Sequence, residues 1–292
     1  MFYFDHSDSV MPHASSAAAN RSQYLETFLT ELWLADINRL QVGRELKFHT
    51  PSKRPSWFHG QPRSGNRFFS TVANEKLEGP TYSSFIRLLN NYKKDISQVE
   101  YTTKDNALES WDFLDAIMQT DVMKRTHTFL VKHNLAPRDV EEFKGMLHEI
   151  WFENQRHKAN GNGGEQFSAF EHVFVGEQAG KSIKGYHNWV QLYRQETLGE
   201  LTVTKLKSRA CEKNPHFLAV SLKVPLSDVE KQKAYILLGT SPEFEIAAYT
   251  AVSLMNVPGK LNLGGCSIYL ICTHKSIDQW KPSTCYPKEG FI

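Results

Sequence analysis

The segment Lys158–Gln166, KANGNGGEQ, divides the chain into two stretches of different hydrophobic period, and any fold has to accommodate both. Before it, apolar residues recur at helical spacing. Ser22 stands as an N-cap ahead of Leu25, Phe28, Leu29, Leu32, Ile37 and Leu40, and Gly43 ends the run. Residues 1–21, rich in Ser, Ala and His, read as a mobile tail. Pro51, Pro55, Pro62 and Pro80 make residues 44–80 mostly loop. A short helix after Pro80 buries Phe85, Leu88, Leu89 and Tyr92. A long helical stretch runs from about Ala107 to Lys132, with Leu108, Trp111, Leu114, Ile117 and Met118 in its stripe and Asn134 as C-cap. Pro137 opens the next helix, which presents Val140, Phe143, Leu147, Ile150 and Trp151.

After the divide the apolar runs shorten. Ala169–Val175, Leu201–Lys207, Phe217–Val224, Ala234–Leu238 and Ser267–Thr273 read as strands. Two helices interrupt them, one from Asn188 and one from Ser241-Pro242-Glu243, an N-cap, an N1 proline and a first-turn acid. The expected class is α+β: a helical N-terminal lobe over about 22–157, then a lobe of antiparallel sheets with helices over about 165–292.

No run approaches 18 uncharged apolar residues, so no membrane-spanning helix is expected. A net charge of +2 argues against a strongly basic nucleic-acid tail but leaves a local groove open. Lys181, Lys184, Lys205, Lys207 and Arg209 are the residues for such a groove, although a solvated face is the better explanation of them. The N-terminus has neither the basic region nor the apolar run of a secretory signal, which tilts the expected compartment towards the cytoplasm, with secretion the alternative for a trimmed start. Cys211, Cys266, Cys272 and Cys285 form no CxxC pair, so a zinc ribbon is out and reduced thiols are expected.

Four places could carry chemistry. In FEHVFVGE, Phe170–Glu177, a strand would set His172 on the face of Phe170 and Phe174, with Glu171 and Glu177 unusually close to an apolar run. His187, in GYHNW, directly precedes a helix N-terminus, where anions are favoured and an imidazolium is disfavoured. Lys231 and Lys233 enter a strand. Ser283–Lys288, STCYPK, lies near the C-terminus. Each alone has a bland explanation in packing or solvation. Together they suit RNA cleavage by its own 2′-hydroxyl. That reaction needs a base, an acid for the 5′-oxygen and a cation for the phosphorane, and two histidines and a lysine supply them. An aromatic ring can hold the base by stacking.

At these residues the sequence resembles the EndoU family, the XendoU-type uridylate-specific endoribonucleases. The matching text is FEHVFVGE, GYHNWVQLY (Gly185–Tyr193) and GTSPEFEIAAYT (Gly239–Thr250). LWLADINRL, PTYSSFIRLLNNY, FLDAIMQTDVMKRTHTFLV and FKGMLHEIWF extend the similarity, so it runs from about Leu25 to the C-terminus. The resemblance implies an endoribonuclease that cuts single-stranded RNA at uridylates, leaving 2′,3′-cyclic phosphate and 5′-hydroxyl ends. It implies His172 and His187 as the catalytic pair, with His187 favoured as base and His172 as acid, and Lys231 as the catalytic lysine, with Lys233 the fallback. Tyr286 would stack the uracil, Thr284 would sit beside it, and Glu171 and Glu177 match acidic positions that matter for activity.

Many members carry a small hydroxyl residue four positions after the lysine, where it helps read uracil. Tyr235 stands there in this chain. The resemblance also implies stimulation by manganese, with calcium possible, no organic cofactor, and a monomer. The sequence has no HExxH, EF-hand loop or His/Cys quartet. Two other readings remain open: an RNA-binding protein of this fold that cleaves weakly or not at all, and a metal-dependent hydrolase built on His172, His187, Glu171 and Glu177.

Overall fold

A computed structural model describes residues 14–51, 67–92, 104–156, 166–208, 215–263, 265–274 and 280–290. Residues 1–13 of the expected tail, most of the Gly/Asn-rich divide, Arg209 and Cys211 lie outside the described residues. The helices are α1 (Ala14–Ala35), α2 (Asn74–Leu77), α3 (Pro80–Leu89), α4 (Lys104–Met118), α5 (Asp121–Lys132), α6 (Val140–Trp151), α7 (Trp189–Thr197) and α8 (Pro242–Met255). The strands are β1 (Leu46–Phe48), β2 (Phe69–Val72), β3 (Gln155–Arg156), β4 (Gln166–Phe167), β5 (Glu177–Ala179), β6 (Ser182–Lys184), β7 (Thr202–Ser208), β8 (Phe217–Lys223), β9 (Glu230–Leu237), β10 (Gly259–Asn262), β11 (Ser267–Thr273) and β12 (Thr284–Glu289).

The class is α+β. Among the described residues β5-β6-β9-β8-β7 form one sheet and β10-β11-β12 another. The pairing is antiparallel except between β6 and β9, which run parallel. α8 is buried almost all round and packs on α1, α3, α5 and β11. A single apolar core therefore runs from Leu25 and Phe28 of α1 through Phe244 and Ala247 of α8 to Leu270 of β11.

Several local expectations change. α1 starts at Ala14, ahead of Ser22, and ends at Ala35 rather than near Gly43. Ile37 is exposed, while Asp36 turns inward and accepts the Ser241 backbone N–H at 3.2 Å. The long run from 107 to 132 is two helices. The Thr120 side chain caps α5 by accepting from Met123 N and donates to Ile117 O, which ends α4. Pro137 does not open α6; Asp139 caps it through the N–H groups of Glu141 and Glu142.

Residues 169–175 are not a strand. Glu171–Val175 is one turn of π-helix, closed by Gly176 N–H donating to Glu171 O at 2.8 Å. Phe170 and Phe174, four residues apart, lie with ring centroids 5.1 Å apart on its buried side. The reduced-thiol expectation also fails. Cys272 and Cys285 form a disulfide across β11 and β12, where they are direct partners, and Cys266 is disulfide-bonded as well.

Candidate active site

The π-turn fixes the spatial relation of the two histidines. An i→i+5 bond at Gly176 leaves the carbonyls of His172 and Val173 without the partners an α-helix would give them. They accept instead from Tyr186 N–H at 3.0 Å and His187 N–H at 2.8 Å. The GYHN loop is thus tied residue by residue to the turn that carries His172. Gly185 makes the approach possible. Its φ is +58°, and an added Cβ would lie 1.6 Å from His172 O. Gly176, at φ +81°, leaves room in the same way for the Tyr186 ring.

His187 is buried directly ahead of α7, whose N-cap is Asn188. Asn188 Oδ1 accepts from Gln191 N–H at 3.0 Å, and its amide donates to Glu245 Oε2 at 3.3 Å. The His187 Nδ1 lies 3.0 Å from the carbonyl oxygen of Tyr235 on β9. A carbonyl only accepts, so Nδ1 carries the hydrogen and Nε2 holds the lone pair of the neutral ring. Burial pushes the ring's pKa down to about 3, and the charge of Lys231 and the nearby His172 push the same way. His187 is therefore held as a neutral imidazole with Nδ1 as its donor.

His172 sits at the other wall, with Nδ1 3.1 Å from Glu177 Oε1. A carboxylate only accepts, so this ring too is held with Nδ1 as donor. Lys231 is half-buried at the start of β9, where a bulge sets it opposite Leu222. Burial, then the charge of Lys184 on neighbouring β6, lowers its pKa to about 8. Lys233, the alternative lysine, is directed elsewhere: its Nζ lies over the Tyr235 ring, 4.7 Å from the centroid, and 3.9 Å from Glu289.

β12 closes the site by packing on both the π-turn and β9. Its Tyr286 ring stacks against His187, with centroids 5.4 Å apart and planes 27° apart. Thr284 begins the same strand opposite Thr273, and the Cys272–Cys285 bond holds the residue between Thr284 and Tyr286 to β11.

The structure thus gathers His172, Glu177, His187, Lys231 and Tyr286. Glu171 is buried within the π-turn itself. Lys184 reaches the site electrostatically. Lys205 and Lys207 lie on β7, separated from β9 by β8, and Lys181 pairs with Asp228 at 3.1 Å on the surface. Among the described residues of that basic set, only Lys184 acts on the site, and Lys181, Lys205 and Lys207 lie on the solvated face that is the better expectation for them.

Sequence reasoning missed two features. The carbonyl that orients His187 belongs to the main chain, which leaves no residue-type signal. Glu243 is the expected first-turn acid of α8, but the motif does not signal that it and Glu245 are buried, with Asn38 donating to Glu243. Burial pushes the Glu245 pKa up to about 8. Its carboxyl joins Thr240, which donates at 2.7 Å, to the Asn188 cap, and so anchors the residue that follows His187.

The donor set does not fit a closed cation site. Among the described residues no group of three or more His, Cys, Asp or Glu side chains is placed to hold a metal ion. Among them, too, no helix is long and apolar enough to cross a membrane.

Comparison with known proteins shows the family of the chain. The family model described as "Endoribonuclease XendoU" matches residues 24–287. "Uridylate-specific endoribonuclease B" of Danio rerio is 35% identical over 274 residues, covering 90% of this chain and 95% of its own. "Poly(U)-specific endoribonuclease-B" of Xenopus laevis is 36% identical over 247 residues, covering 81% and 84%. The solved structure described as "XendoU: a splicing independent snoRNA processing endoribonuclease" superposes with a TM-score of 0.73 at 30% identity, covering 90% of this chain and 96% of that one. A match this continuous, spanning the helical half, the π-turn and β12 alike, makes the chain a member of the XendoU endoribonuclease family.

Proposed function

We propose that this protein cleaves single-stranded RNA at uridylates by transesterification, acting as a monomer. In this reading His187 Nε2 takes the proton of the 2′-hydroxyl. The 2′-oxygen forms a bond to phosphorus and the bond from phosphorus to the 5′-oxygen breaks. His172, which must enter the step with protons on both ring nitrogens, gives its Nε2 proton to the leaving oxygen and keeps the Nδ1 proton on the side of Glu177. The products carry a 2′,3′-cyclic phosphate and a 5′-hydroxyl. Lys231 offsets the charge that develops on the phosphorane oxygens, where one well-placed donor is worth about 3 kcal/mol. Tyr286 stacks the uracil with Thr284 beside it. Glu177 keeps the His172 ring oriented, and Glu171 belongs to the same substrate-side wall.

The observation that carries this reading is the state of His187. Its Nδ1 donates to the Tyr235 carbonyl, which fixes one tautomer, and the ring stands beside Lys231 and stacks on Tyr286. Manganese, or calcium, remains in the reading as a stimulating ion held by the bound RNA rather than by a closed protein cage. An RNA with one central uridine tests the proposal beside its 2′-deoxyuridine analogue. Only the ribose form is expected to be cut, and only to a cyclic phosphate. The second reading is favoured by Tyr235 at the uracil-reading position: a protein that binds RNA but cuts it poorly. Tight binding without cleavage, with or without manganese, would establish that instead.

The lysine supplies a pH prediction. With its pKa lowered to about 8, Lys231 is charged below pH 8 and loses its charge as pH rises through it. His187 stays neutral throughout the range above about 3. Arginine keeps its charge across this range. The ratio of wild-type to Lys231→Arg kcat/KM is therefore expected to fall about tenfold per pH unit above roughly 8. A ratio independent of pH from 6 to 10 would remove Lys231 from the reacting charge.

A further inference from the structure

We propose that Tyr235, with Lys233, forms a stacking subsite for the nucleotide next to the cleaved uridine; this rests on the assignment of Tyr286 to the uracil. The Tyr235 ring lies nearly parallel to that of Tyr286, with centroids 6.2 Å apart and planes 15° apart. It also packs near-parallel to buried Phe217, with centroids 6.0 Å apart and planes 23° apart. The ring is therefore backed by the core and continues the aromatic surface that starts at His187 and Tyr286. Lys233 covers one face, and that side chain is 45% exposed. It is a long, flexible cover that a base can displace. The released ammonium then exchanges its hydrogen bond with the Tyr235 side chain and its contact with Glu289 at 3.9 Å for the phosphate that joins the two nucleotides. Consecutive aromatic surfaces beside a cation are the common device for consecutive bases of a single strand.

This assigns Tyr235 a role different from the small hydroxyl that reads uracil in many relatives. Its ring supplies the binding, not its hydroxyl. The test measures Kd for a short RNA with one 2′-deoxyuridine, which binds without being cut, so the result does not depend on catalysis. Analogues carry an abasic ribose on the 5′ or the 3′ side of that uridine. For the wild type, one of the two abasic analogues is expected to bind about 5- to 100-fold more weakly. Tyr235→Ala should lose a similar factor on the full RNA and become insensitive to the abasic change, whereas Tyr235→Phe should behave as wild type. Lys233→Gln is expected to lower the slope of log Kd against log salt by about 0.7.

Wild-type indifference to both abasic analogues would overturn the subsite, and that arm needs no variant to fold. Equal losses in Tyr235→Phe and Tyr235→Ala, with binding of cytidine RNA improved in both, would also overturn it and return the hydroxyl to uracil reading. If the wild type binds the analogues as expected but cuts no ribose substrate, the subsite stands and the cleavage reading fails. If the wild type binds none of these RNAs, both fail.

Discussion

Replacement of His187 by alanine is expected to lower kcat/KM about 10³- to 10⁴-fold while leaving the Kd for a 2′-deoxyuridine RNA within about threefold of wild type. The loss should sit in kcat, because the ring accepts a proton only on the way to the transition state. Its pocket is buried, so bulk water is poorly placed to act as a substitute base. The substitution also leaves the Tyr235 carbonyl without its side-chain donor. A modest drop in melting temperature is therefore expected, of the size of one lost hydrogen bond, about 1–3 kcal/mol. Near-normal cleavage in a folded His187→Ala protein would disprove the assignment of the base. Loss of binding in parallel with cleavage would instead make His187 a structural prop for Tyr286.

The second large effect is expected at a residue with no functional group. Gly185→Ala should reduce kcat/KM about 100-fold and lower the melting temperature by about 5 °C or more. The new Cβ would fall 1.6 Å from His172 O and 3.1 Å from the His172 ring. Either the Tyr186 N–H bond to that carbonyl breaks or His172 moves, and each separates the two histidines. Gly180→Ala is the matched control. Gly180 has the same φ of +58° but open space where the Cβ would go. It incurs only the left-handed backbone cost, about 1–2 kcal/mol, and should leave activity unchanged. Equal behaviour of the two variants would mean that the close approach at Gly185 does not set the site geometry.

These two positions also show what the sequence makes legible. His187 is visible because Asn188, two apolar turns and the Gly185-Tyr186 loop announce a helix start, and Asn188 does cap α7. Ser241 and Pro242 announce α8 in the same way. Local capping chemistry is written in local residues, so it survives folding. The π-turn is not visible. Phe170 and Phe174 fit a strand of period two as well as one turn of helix, and the choice is made by Tyr186 and His187, whose N–H groups claim the carbonyls of His172 and Val173. The division of α4 from α5 hides for a related reason: one threonine interrupts a stripe that otherwise continues. The Cys272–Cys285 bond follows from the register of β11 against β12, which spacing along the chain does not encode. The candidate site residues come from long ordered motifs rather than from periodicity, and the structure brings His172, Glu177, His187, Lys231 and Tyr286 together. What those motifs left out was the oxygen that orients His187 and the buried carboxyl of Glu245 behind Asn188.

The hydrogen bond from His187 ends on a peptide oxygen, and every amino acid at position 235 supplies that oxygen. The reacting ring therefore keeps its proton arrangement whatever side chain stands there. Under the proposed roles, base recognition and acid–base chemistry share one residue yet vary independently, since the first would use its side chain and the second its backbone. Position 235 is a place where a lineage can change which RNA sequence it prefers without retuning how it breaks the bond.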